Sequence, residues 1–121
     1  MDFNVKVKNK LDYFVKMLEI LSLVKPIKNL RPKERLLLAY ILYYNDKYKS
    51  LDIEDRAKLV FNKTTRIDIS EAMGIDSQTF YNNKSQLKIK GILYDEYLTK
   101  NFIYLYYKNE FNLNFILNGT S

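Results

Sequence analysis

The sequence predicts a mainly α-helical fold with a small β hairpin or sheet, an α+β arrangement in which helices dominate. Three observations carry that reading. Apolar residues recur at helical spacing over about 9–24, 32–44 and 66–90, and prolines, glycines or polar turns separate these segments. Strict alternation appears near the C-terminus, where Phe111, Leu113, Phe115 and Leu117 alternate with Asn112, Asn114, Ile116 and Asn118. At 121 residues the chain is long enough for one domain with its own core.

From Asp2 to Lys8, Phe3, Val5 and Val7 alternate with Asn4, Lys6 and Lys8, which predicts a short strand or an arm along the core. A helix follows from about Asn9 to Val24, with Leu11, Phe14, Val15, Leu18, Ile20 and Leu21 as its apolar stripe. Lys25-Pro26 ends it, because the residue before proline is pushed out of the α region. A second helix starts near Arg31-Pro32, where proline's missing N–H costs nothing. Its residues Leu36, Leu37, Leu38, Tyr40, Ile41 and Leu42 are apolar nearly all round, so it is read as the central core helix. Tyr43, Tyr44, Asn45 and Asp46 are read as its polar exit.

Residues 47–63 read as a short helix over Glu54 to Phe61 or as an ordered loop, with Leu51, Ile53, Leu59, Val60 and Phe61 needing burial. Asp52, Glu54 and Asp55 suit a helix N-terminus, where acids interact favourably with the dipole, and this is sufficient reason for the cluster.

The stretch Arg66 to Leu93 reads as helix, tight turn, helix. Ile69, Ala72 and Met73 are spaced to share one face, and Gly74 falls where a C-cap often needs positive φ. Ile75 plugs the turn, and Asp76-Ser77 offers two N-cap candidates. The helix from Ser77 to Lys90 is anchored by Phe80 and Leu87, and by Ile89 at its end. Its remaining residues carry hydrogen-bonding or cationic groups and no carboxylate, although the chain contains 14 acids. Exclusion of carboxylates suits a helix that approaches phosphates. After Gly91, Ile92-Leu93-Tyr94 is expected to pair with Phe102 to Leu105 across a turn at Leu98 to Asn101.

These residues resemble the winged helix-turn-helix superfamily. Phe80, Leu87, Gly91 and Leu93 match the spacing of its recognition helix and the exit into the wing, while Ile69, Met73, Gly74 and Ile75 match the preceding helix and turn. The similarity covers about residues 66–117, with a weaker match back to Leu30. Ser70 stands where the family usually has alanine, and Lys84 where an aliphatic residue is commoner. The expected organisation is an N-terminal arm and helix over 1–29, a winged helix-turn-helix domain over 30–118, and a disordered tail over 119–121.

The absence of cysteine excludes disulfides and thiolate chemistry, and the absence of histidine removes the commonest metal ligand and general base. No phosphate loop, nucleophile–base pair or metal-ligand spacing is present, so the reading is of a non-enzyme without cofactor, catalytic or metal residues. No apolar run approaches the roughly 20 residues that span a bilayer, and the N-terminus lacks the apolar centre of a signal peptide, so a cytoplasmic location is expected. Net charge is +6 with pI near 9.4, which favours a polyanionic partner. Residues 1–35 hold nine Lys/Arg against four acids, 77–91 three lysines and no acid, and 92–121 two lysines against three acids.

The expected function is sequence-specific binding of double-stranded DNA as a homodimer, by a small transcriptional regulator or a phage or plasmid replication or packaging factor. Helix 77–90 would enter the major groove, with Gln78, Thr79, Asn82 and Ser85 on base edges. Tyr81, Lys84, Lys88 and Lys90 would contact the backbone, and so would Lys100 and Asn101 at the hairpin tip, although a plain solvated turn explains those two equally well. Lys6, Lys8 and Lys10 read better as outward residues of an edge strand than as a phosphate-contacting arm. Tyrosines such as Tyr40, Tyr43, Tyr44, Tyr104 and Tyr107 suit core packing and an oligomer interface, although aromatics among lysines can also stack on single-stranded bases. The alternative is a structural or adaptor protein of a larger assembly, such as a phage particle, that uses the same fold to bind protein.

Overall fold

Helix α2, Pro32–Lys47, is the hub of the computed structural model, which describes residues 8–24 and 27–108. Its Leu37, Leu38, Ala39, Ile41 and Leu42 are all buried, and every other helix packs directly against it. This is the outcome its all-round apolar sequence demands. At its start the Arg31 N–H donates to the Glu34 carboxylate, at 2.9 Å, which satisfies one of the orphan groups of a helix N-terminus.

Helix α1, Lys10–Ile20, is capped by the Asn9 side chain, which accepts from the Asp12 N–H, and continues into a 3₁₀ turn over Leu21–Leu23. It buries Tyr13, Phe14, Met17 and Leu18 along α2, so it belongs to the same hydrophobic core as the rest of the chain. Leu11, Val15 and Ile20 of the expected stripe are only half-buried. A second 3₁₀ turn, Ile27–Asn29, leads into α2.

Of the two readings for the stretch after α2, the helix is the one found. It is α3, Ile53–Val60, capped by Asp52, whose carboxylate accepts from the Asp55 N–H. Helix α4, Lys63–Met73, starts three residues earlier than the periodicity suggested, because Asn62 caps it by accepting from the Thr65 N–H. Helix α5 is Ser77–Ile89, with Asp76 as its cap.

Both α4 and α5 end in the same way. Gly74, at φ 68°, donates to Glu71 while Ile75 donates to Ser70; Gly91, at φ 83°, donates to Lys88 while Ile92 donates to Leu87. The paired 6→1 and 5→2 bonds form Schellman motifs, which satisfy the last carbonyls and require the left-handed region. The turn read from Gly74 is therefore present. Ala72 is exposed, however, so the buried face of α4 consists of Thr65, Ile69 and Ser70, with Met73 at its edge.

The small sheet differs from its expected form. Strands β1, Leu93–Tyr94, and β2, Tyr97–Leu98, pair antiparallel, with Leu93 opposite Leu98 and Tyr94 opposite Tyr97. The turn is Asp95-Glu96, where Asp95 takes φ 56°, a conformation that aspartate tolerates better than most residues. Thr99 then closes the hairpin through its N–H and hydroxyl on the Ile92 carbonyl, both at 3.0 Å. Residues Lys100–Ile103 form a short helix, α6, in place of the expected strand from Phe102. Phe102 and Ile103 are adjacent and both buried, which one helical turn allows and a strand's alternation does not.

Asn45 and Asp46, expected as the polar exit of α2, are buried. Asn45 donates to the Ile103 carbonyl, and Asp46 accepts from the Tyr107 N–H at 2.8 Å. Arg56, 5% exposed, completes the cluster, with neutral oxygens of Asn45, Lys49, Leu51, Ile103 and Tyr106 around its guanidinium. It ties the end of α2, the following loop, α3 and the segment after α6 to one another. The expected strands at 3–7 and 111–117 and the tail at 119–121 lie outside the described residues.

Candidate nucleic-acid interface

Helix α5 exposes a single arc. At 100° per residue, Gln78, Tyr81, Asn82, Ser85, Lys88 and Ile89 fall on one side and Phe80, Lys84 and Leu87 on the other. The first six are exposed and the last three are buried. The arc is closed at its start by Ser77 and contains no carboxylate. The Asp76 carboxyl is outside it, held below its ordinary range by the Thr79 N–H and the Thr79 hydroxyl.

Of the four residues expected to read bases, Gln78, Asn82 and Ser85 stand together on this arc, one turn apart. The Gln78 amide donates to the Asn82 side-chain oxygen at 3.1 Å, which orders both amides along the helix. Thr79 is only half-exposed and sits at the arc's margin, beside the cap.

The expected backbone contacts divide. Tyr81 and Lys88 are exposed on the arc. Lys84 is not: it is 8% exposed, its ammonium lies over the Phe61 ring at 4.8 Å, and it holds both Glu96 oxygens. Spacing could have shown this, since position 84 is four from Phe80 and three from Leu87. Lys90 is also engaged, bonded to the buried Glu34 carboxylate. Burial works to raise the Glu34 carboxyl, but Lys90 and the Arg31 N–H outweigh it and hold the group below its ordinary value.

Lys100 and Asn101 do not stand at the hairpin tip. They open α6, while the tip carries Asp95 and Glu96. Between the tip and α3, a cavity of about 300 Å³ is lined by Glu54, Lys58, Phe61 and the two tip acids. Its acidic rim is unsuited to phosphate.

Sequence reading missed Arg66. Its guanidinium donates to the Ser77 hydroxyl at 3.2 Å and lies over the Tyr81 ring at 5.5 Å. Its spacing from Met73, seven residues or about two helical turns, gave only a weak sign that it would face α5. Lys8, among the N-terminal lysines, is exposed; Lys10 pairs with Asp46 at 3.4 Å and covers the Tyr107 ring.

Among the described residues, no three metal-ligating side chains gather, and no helix is long and apolar enough to cross a membrane. No family model, curated protein or solved structure matches the chain.

Proposed function

We propose that this is a winged helix-turn-helix protein that binds double-stranded DNA sequence-specifically and acts as a regulator or a replication or packaging factor. Helix α5 would lie in the major groove. The observation that carries the reading is the acid-free exposed arc of α5, on which Gln78, Asn82 and Ser85 offer donors and acceptors to base edges. The two departures from the family pattern are compatible with it. Ser70 is buried with an unpaired hydroxyl, and Lys84 is buried against Phe61, as befits positions usually filled by alanine and an aliphatic residue. The acidic hairpin tip argues that phosphate contact comes from α4 and α5 instead of the wing.

The test is binding to labelled random-sequence duplex across a salt series, followed by selection of the preferred site. A log–log slope equivalent to several released counterions supports the reading. On the selected site, the double substitution Gln78→Ala with Asn82→Ala then weakens specific binding more than random-sequence binding. Equal losses on both would remove the base-reading role.

One observation favours the second reading, an adaptor that binds protein. Ile89 is 74% exposed and Tyr94 78% exposed, and such side chains suit a protein interface better than a DNA backbone. No duplex binding at low salt, together with a partner lost on Ile89→Ser, would establish the adaptor.

A further inference from the structure

We propose that Arg66 is a phosphate-binding residue for the backbone of duplex DNA, held in place by Ser77 and Tyr81. This rests on the DNA reading of α5. Of the cations at this end of the molecule, Lys84 and Lys90 are each neutralised by a carboxylate. Arg66 has no carboxylate partner among the described residues. Its two neighbours are a neutral hydroxyl and an aromatic face, which fix the guanidinium without cancelling its charge. A planar guanidinium held by a hydroxyl and an aromatic face keeps its remaining N–H groups in a fork that suits two phosphate oxygens.

Its position fits that role. Ser77, Tyr81 and Lys88 form the edge of the exposed arc, at successive i, i+4 and i+11 positions, and Arg66 reaches that edge from α4. Tyr81, 47% exposed, adds a phenolic hydroxyl at the same place. A duplex with its bases against Gln78, Asn82 and Ser85 would therefore run one strand's phosphates past Arg66 and Lys88. The cation role expected of Lys84 and Lys90 passes to these two residues.

The test compares wild type, Arg66→Gln, Arg66→Lys and Lys84→Met on labelled random-sequence duplex across a salt series. Arg66→Gln should make the log–log slope shallower by about one and weaken all duplex sequences alike. Arg66→Lys should keep the slope, and Lys84→Met should leave it unchanged. If wild type binds and Arg66→Gln retains the full slope, the assignment is wrong while the DNA reading survives. A shallower slope for Lys84→Met alone would return the role to Lys84. If wild type binds no duplex, or binds single-stranded RNA in preference, both the assignment and the reading under it fall.

Discussion

The Lys84 ammonium lies 2.7 Å and 2.9 Å from the two carboxylate oxygens of Glu96, so the inner face of α5 is tied to the tip of the hairpin. The two ends of this pair differ. The Lys84 side chain is 10% exposed and that of Glu96 48%, so water reaches the carboxylate more easily than the ammonium. Removing Glu96 leaves a charge with little water, whereas removing Lys84 as methionine leaves a solvated acid and an aliphatic chain over Phe61. Solvent screening at Glu96 limits the cost of Glu96→Ala to about 1 kcal/mol. Lys84→Met should cost less, and urea unfolding midpoints of the two variants measure the order.

Arg56 is expected to be the most sensitive polar position. Its substitution by methionine removes a buried cation and leaves the carbonyls of Lys49 and Leu51 without their side-chain donor, while the Ile103 carbonyl keeps Asn45. Unsatisfied buried acceptors cost about 1–3 kcal/mol each in the unfavourable limit, so a loss of about 3 kcal/mol is expected once water reaches some of them. Arg56→Lys should recover only part of it, because a single ammonium cannot span the same fan of acceptors. Denaturant unfolding of both variants gives the comparison.

The helices around α5 were legible in the sequence because their signals are local. Gly74, Asp76 and Gly91 fix the caps, and Phe80 with Leu87 fixes the buried face. The hairpin was misplaced because Phe102 to Leu105 looks like a strand in isolation, while Asn45 and Arg56 hold the Ile103 carbonyl from segments nearly 50 or more residues away. The neutralisation of Lys90 by Glu34 is equally distant in sequence. Arg66 escaped notice because its role depends on how α4 crosses α5, which no single-segment periodicity encodes.

Acid should destabilise the fold through three carboxyls. Asp12 is lowered by the Lys8 N–H and then by Lys16, and Asp76 by the Thr79 N–H and hydroxyl. Glu34 is lowered by Lys90 and the Arg31 N–H, against its burial. Each has a folded-state value below its unfolded one, so its contribution is fully present above about pH 5 and is lost as pH falls through the folded value. Thermal unfolding at pH 7 and at about pH 3 should show a lower midpoint in acid, and Glu34→Gln should narrow the gap.

The exposed arc of α5 makes one comparison decisive. Ser85→Glu puts a carboxylate at the middle of the arc, and Ser50→Glu makes the same charge change on the exposed loop after α2. Both are surface substitutions and should leave the circular dichroism spectrum unchanged. Binding of each to random-sequence duplex at low salt is the measurement. Contact through α5 predicts that Ser85→Glu loses about tenfold or more in affinity, roughly 1.4 kcal/mol, while Ser50→Glu stays close to wild type. Equal, small losses for the two variants would contradict the assignment of α5 as the surface that meets DNA.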